Sequence, residues 1–253
     1  MNPLQTAVET AREAGALLLE RVGSPLDIRD KGARGDLVTA SDRASEELIV
    51  RRLRAGDSRC TILGEEGGSQ PGTSDVRWIV DPLDGTTNYA HDYPLYCVSI
   101  AYERAGEVLA AAIYAPALDE LYAAERGGGA TCNGRRLGVS TIPSVAESLV
   151  CTGFVPAKFE RNGAHFARLS HLAQAVRRDG SAALDMAFVA AGRFEAFWEF
   201  DLKAWDVAAG ALIVREAGGT VSAIDGSAFD IAAGSTLASN GRVHAEMVGA
   251  LRS

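Results

Sequence analysis

The chain has 253 residues, enough for one large domain or two closely packed ones, and 47% of them are hydrophobic, which excludes global disorder. The formal net charge of −8 argues against nucleic-acid or membrane-surface binding driven by bulk electrostatics. The four cysteines (Cys60, Cys97, Cys132 and Cys151) form no C-x-x-C pair, and the four histidines fall at no zinc spacing. Isolated thiols of this kind predict a reducing compartment. The start of the chain, Met1-Asn-Pro-Leu-Gln-Thr, has no basic region leading into a long apolar run, and no stretch reaches transmembrane length. The expectation is a cytoplasmic protein without a signal peptide.

In chain order, Leu4, Val8, Ala11, Gly15, Leu18 and Val22 recur at helical spacing and predict an amphipathic first helix that Gly23-Ser-Pro25 ends. The segment Asp30–Asp36 is too rich in glycine and charge to pack. After Leu37-Val-Thr39, either Thr39 or Ser41 caps a second helix over 42–55. Strands are predicted at Cys60–Leu63, Trp78–Val80, Tyr96–Tyr102, Val108–Tyr114 and Leu121–Ala124, with a hairpin loop at Glu103–Glu107. Tight turns are marked by Gly127-Gly-Gly and Asn133-Gly134. The first half therefore reads as two helices beside a largely antiparallel sheet.

Beyond it, the pattern alternates: strand Ser148–Thr152, helix His165–Val176, helix Ser181–Ala191, strand Phe194–Phe200, and helix Ala204–Ala217 stopped by Gly218-Gly219. Short strands Thr220–Ile224 and Thr236–Ser239 and a helix His244–Leu251 follow. Alternation of this kind predicts an α/β part, with the boundary dividing the chain into 1–144 and 145–253.

The stretch most suggestive of chemistry is Trp78–Tyr89. An apolar strand runs into Asp81 and Asp84, and then into Gly85, Thr86 and Thr87. Two carboxylates about 4 Å apart repel by about 4 kcal/mol at an effective dielectric of about 20, so a cation between them makes the pair tolerable. Gly85 permits a tight turn, and amides opening a helix at Thr86 attract an anion. A cation site beside an anion site points to chemistry on phosphate. Other acidic positions stand out by context: Glu65-Glu66 between Gly64 and Gly67, Asp206 after Trp205 at a helix start, and Asp36 in the glycine-rich segment. Taken singly, each has an ordinary reading as a solvated turn, a helix cap or a turn residue.

Jointly, these motifs resemble the inositol monophosphatase family, magnesium-dependent and lithium-sensitive phosphomonoesterases, over nearly the whole chain. Gly64-Glu-Glu-Gly67 resembles its first acidic motif, Asp81-Pro-Leu-Asp-Gly-Thr-Thr-Asn88 its signature, and Trp205-Asp-Val-Ala-Ala-Gly210 its C-terminal motif. Lys31, Asp36 and Thr39 resemble its N-terminal loop. The resemblance implies a five-layer αβαβα fold of the α/β class, a homodimer, and two or three Mg²⁺ ions per site. It implies that Glu65, Asp81 and the Leu83 carbonyl hold one ion and that Asp81, Asp84 and Asp206 hold another, with Glu65 sharing a weaker third. Thr86, oriented by Asp36, would sit on the attacking water, and the Gly85 and Thr86 amides would bind phosphate.

On the substrate side, Gly180, Ser181 and Ala182 form a polar lip at a helix start, which is equally an ordinary cap. Glu199 matches a glutamate that binds ring hydroxyls in inositol-handling relatives, and a carboxylate accepts from two adjacent hydroxyls. Lys203 either attracts an extra negative charge or faces solvent, Lys158 lies in a segment bordering the pocket, and His91 and His165 read as surface or packing residues. The expected substrate is inositol 1-phosphate, with histidinol phosphate and fructose 1,6-bisphosphate as alternatives on the same scaffold.

Overall fold

The computed structural model describes residues 2–23, 29–30, 37–154 and 159–252. Helix α1 (Pro3–Arg21) starts where the Asn2 side chain accepts from the Gln5 amide at 3.1 Å and Pro3 takes a position needing no N–H donor. A short hairpin, β1 (Arg29–Asp30) with β2 (Leu37–Val38), leads to α2 (Ala40–Gly56). Thr39, rather than Ser41, is the cap of α2. Its hydroxyl accepts from the Ser41 and Asp42 amides while Asp42 accepts the Thr39 amide at 2.8 Å, a reciprocal capping box.

Eight strands then form the first large sheet: β3 (Thr61–Gly64), β4 (Gly68–Gln70), β5 (Val76–Asp84), β6 (Cys97–Arg104), β7 (Glu107–Ala115), β8 (Glu120–Glu125), β9 (Gly129–Cys132) and β10 (Arg135–Arg136). Their spatial order is β10-β9-β8-β7-β6-β5-β3-β4, and every pair is antiparallel except β3 with β5. The β6–β7 hairpin turns on Ala105-Gly106, both at positive φ, as a two-residue turn of this twist requires. Between β5 and β6, α3 (Thr86–Ala90) is a single short turn of helix.

The second sheet holds β11 (Leu149–Thr152), β12 (Ala175–Arg177), β13 (Ala196–Phe200), β14 (Thr220–Ser222) and β15 (Ser235–Ser239) in the order β12-β11-β13-β15-β14. Here β11 runs parallel to both neighbours, as crossover helices demand. The remaining helices are α4 (Phe159–Leu172), α5 (Ala182–Ala190), α6 (Ala204–Glu216) and α7 (His244–Arg252). The helix expected over 165–176 begins earlier and stops at Leu172, and Ala175–Arg177 is instead the edge strand β12.

Three apolar clusters glue five layers. Ala7, Ala11, Leu18, Ile49 and Leu53 of α1 and α2 meet Ile62, Val80 and Ile100 on one face of the first sheet. α5 and α6, buried on nearly all sides, fill the space between the two sheets through Met186, Phe188, Leu212 and Ile213 against Ile113, Tyr122 and Phe197. Leu169 of α4 and Met247 of α7 cover the outer face of the second sheet on Val150, Trp198 and Leu237. The order is α1/α2, first sheet, α5/α6, second sheet, α4/α7, the αβαβα arrangement expected. No helix among the described residues is long and apolar enough to cross a membrane.

Candidate active site

The apolar run Trp78–Val80 continues β5 into the core until Pro82 interrupts it. Register with β6 is lost between Asp81 and Asp84, because proline has no N–H to donate to the ladder and the strand bulges there. The bulge is pinned by Ser45 Oγ, which donates to the Pro82 carbonyl at 2.8 Å, and by the Leu83 amide, which donates to Asp81 Oδ1 at 3.0 Å. Gly85 follows at φ 91°, where a Cβ would lie 2.9 Å from the Leu95 carbonyl oxygen. Only glycine makes that turn without strain.

Asp81 is buried, and burial raises its pKa well above the ordinary carboxylate range, reinforced by repulsion from Glu65, Asp84 and Asp206. Asp206 is raised likewise, by burial first and then by the Asp84 charge, with Glu65 adding to it. Asp84 Oδ2 accepts from Ser181 Oγ and from the Ala183 amide, each at 2.7 Å, and these bonds partly offset the rise that burial causes. Four carboxylates, from the β3–β4 turn, β5 and the first turn of α6, therefore face one another although more than a hundred positions separate Asp206 from Asp84. Asp206 also caps α6, Oδ2 accepting the Lys203 amide at 2.6 Å, so the ordinary reading of this residue holds together with its place among the acids.

The turn carrying Glu65 is shaped by Glu46 of α2, a residue the sequence reading passed over. Glu46 is buried, and its carboxylate accepts the Glu66 amide at 2.8 Å and the Gly67 amide at 2.7 Å. A Cβ on Gly67 would sit 2.5 Å from its Oε1, which explains the glycine there. Asp42 was passed over as well. Its Oδ1 accepts from the Thr86 hydroxyl at 3.0 Å, while the Leu83 carbonyl lies 3.1 Å from the same hydroxyl. The orienting role expected of Asp36 falls, like Lys31 and Lys158, outside the described residues. The pattern Thr39-x-x-Asp42 was the available signal for Asp42, since a buried capping box places its acid near the strand ends.

Opposite the carboxylates, Ser181 and Ala183 at the start of α5 hold Asp84, and Gly180 before them has φ 84° and sits against Asn88. Asn88 donates to the Leu95 carbonyl at 2.6 Å and to the Asp179 carbonyl at 2.7 Å, tying α3 to the second sheet's loops. Glu199 ends β13 with its carboxylate against Gly153, where a Cβ would lie only 2.2 Å from Oε2. Its pKa is raised by burial and then by Asp206 and Asp84, against the opposing charge of Arg178. Arg178 stacks its guanidinium 4.9 Å above the Phe154 ring. Lys203 is exposed, His91 is an exposed residue ending α3, and the His165 ring packs 5.5 Å from Phe200.

A group of carboxylates, one buried and three partly buried, whose charges act on one another, with the Cys97 thiol behind Asp84 and helix-opening amides at its border, offers oxygen ligands suited to hard cations and to a phosphate. Comparison with known proteins agrees. The family model described as "Inositol monophosphatase family" matches residues 2–253. The inositol-1-monophosphatase of Synechocystis sp. is 44% identical, with 98% of this chain and 88% of that protein covered. The Nus factor SuhB of Escherichia coli K12 is 41% identical over 100% of this chain and 97% of its own length. The solved inositol monophosphatase of Anabaena (Nostoc) sp. superposes with a TM-score of 0.89 at 42% identity, covering 98% of this chain and 94% of that one.

Proposed function

The chain belongs to the inositol monophosphatase family, and from that premise we propose that it hydrolyses small phosphate monoesters, inositol 1-phosphate foremost, to the free alcohol and phosphate. The observation that carries this reading is that Asp206, Glu65, Asp81 and Asp84 lie close enough for their charges to act on one another. We read these residues, with the Leu83 carbonyl, as the ligands of two Mg²⁺ ions: Glu65, Asp81 and Leu83 for one, and Asp81, Asp84 and Asp206 for the other. Glu65 also shares a weaker third ion. The donor set fits, being all oxygen and strongly negative, and the carboxylate pKa values, raised by burial first and by mutual repulsion second, mark a cost that divalent charge offsets. When bound, a pair of such ions supplies an acidified water and charge stabilisation for the leaving oxygen.

The chain's own residues supply the rest. The Thr86 hydroxyl gives its proton toward Asp42, which leaves its lone pairs to accept from a water and aim that water's oxygen at phosphorus. The Gly85 and Thr86 amides and the lip at Gly180, Ser181 and Ala182 receive phosphate oxygens. Glu199 accepts from two ring hydroxyls of the alcohol and fixes its orientation, so the ester bond lies in line with the attack. No Ser, Cys or His nucleophile is required.

We place the enzyme in the cytoplasm, as a homodimer inhibited by lithium, with the chain read as parts 1–144 and 145–253. The experiment is phosphate release from inositol 1-phosphate, histidinol phosphate and fructose 1,6-bisphosphate, with Mg²⁺ and with EDTA. The reading expects the highest kcat/KM on inositol 1-phosphate and none of it in EDTA. A higher kcat/KM on either of the others shifts the substrate, and undiminished release in EDTA overturns the metal mechanism.

A further inference from the structure

Behind the lip that holds Asp84 lies a separate group that the proposed hydrolysis does not use. Cys151 comes from β11, Asp179 from the loop after β12, and Asp185 from α5. One ligand atom from each lies within 4.8 Å of the others. Asp185 is 1% exposed, neither oxygen of its carboxylate meets a hydrogen-bond partner in good geometry among the described residues, and the one donor that acts on it is the Cys151 thiol, which offsets only part of the cost of burial. A buried carboxylate left so is rare in folded proteins and calls for a ligand. The charges acting on it from around it are those of Asp179, Glu199 and Asp84, all of its own sign. Cys151 is fully buried as well, while Asp179 is only partly buried and gives the group an edge toward solvent.

We propose that Cys151, Asp179 and Asp185 form a second metal site, distinct from the four-carboxylate group, that takes a thiophilic divalent ion of the zinc type. The thiolate selects against Mg²⁺, which demands six oxygens, and for ions that accept sulfur at a tetrahedral centre. Tetrahedral bonds of about 2.0–2.3 Å put ligand atoms about 3.3–3.8 Å apart, so the group closes on an ion with side-chain shifts of about 1 Å. Water fills the fourth position. Binding sends the Cys151 thiol proton to solvent. The ion would tie together β11, the loop before α5 and α5 itself. Zinc spacing rules do not find such a site, because two of its ligands are aspartates and its one cysteine lies 28 positions before the first of them.

The test is a Co²⁺ titration of the reduced full-length protein saturated with Mg²⁺. A thiolate-to-cobalt charge-transfer band is expected at one equivalent, since the oxygen-only carboxylate group gives no such band. Cys151→Ser removes it, and Cys97→Ser, which alters the thiol 3.9 Å from Asp84, leaves it in place. Asp185→Asn, which keeps the thiol and the shape of the site, raises the Co²⁺ dissociation constant at least tenfold. Circular dichroism establishes that each variant is folded. Absence of a band in the wild type, its survival in Cys151→Ser, or unchanged affinity in folded Asp185→Asn overturns the proposal, whatever the phosphatase assay shows.

Discussion

The two walls of the candidate active site are built in opposite ways. The wall carrying Asp81, Asp84, Gly85 and Thr86 is one contiguous segment, in which β5, a proline bulge and a glycine turn follow one another within ten residues. The wall carrying Ser181, Glu199 and Asp206 draws on the starts of two helices and the end of a strand in another sheet. The first wall is fixed by local backbone chemistry. The second is placed by the packing of α5 and α6 between the sheets, so its geometry depends on the whole core. The contiguous wall is accordingly expected to hold most of the chemistry common to phosphate esters, and the assembled wall to complete it through Asp206 and Ser181 and to hold the alcohol through Glu199.

That contrast is sharpened first by Asp84→Asn, which removes a charge from the contiguous wall while keeping an acceptor for Ser181. It should lower kcat/KM by roughly 10³-fold or more on every substrate alike, as loss of transition-state charge stabilisation does. Next, Thr86→Ala and Asp42→Asn should each lower kcat by about 10²-fold with little change in KM, and Thr86→Ser should recover most of it. Glu199→Gln acts on the assembled wall. It should raise KM for inositol 1-phosphate by about tenfold, or about 1.4 kcal/mol, and leave a substrate without ring hydroxyls nearly unaffected. Equal losses on all substrates would break the division between the walls.

The smallest effect concerns stability. Asp81 has its folded pKa raised above the unfolded value, so it binds protons more readily in the folded state, and without metal its contribution disfavours folding as pH rises from the unfolded value through the folded one. In EDTA near neutral pH, Asp81→Asn should therefore raise the melting temperature. With Mg²⁺ present the order should reverse. Thermal melts with and without Mg²⁺ across pH 5 to 8 check both signs.

The same difference between local and assembled structure decides what was legible in the sequence. The amphipathic α1, the hairpin at Ala105-Gly106 and the Gly85 turn after β5 rest on spacing and turn chemistry within a few residues, and they were legible, whereas the five-layer class came from the resemblance of the motifs to a known family. The short polar strands β4, β9 and β10 were not, because at two to four residues they carry no period. The end of α4 and the strand β12 blurred into one apolar run, since Ala173, Ala175 and Val176 fit either period. Asp42 and Glu46 were missed because polar residues on a helix read as a solvated face, whereas here both turn inward, to Thr86 and to the turn at Glu66. Asp206 showed the reverse: its context looked like a cap, and the cap is real, but packing of α6 also brings it to Asp84.

The claim on which all of this rests is that Asp206, from the assembled wall, belongs to one cation site with Glu65, Asp81 and Asp84. Titration calorimetry of Mg²⁺ into the wild type and into Asp206→Asn, which keeps an acceptor for the Lys203 amide, tests it without any substrate. The account predicts binding in the wild type that weakens about a hundredfold or more in the variant, beyond what loss of a merely supporting residue produces. Mg²⁺ binding of equal affinity in both proteins, each shown to be folded, would contradict it.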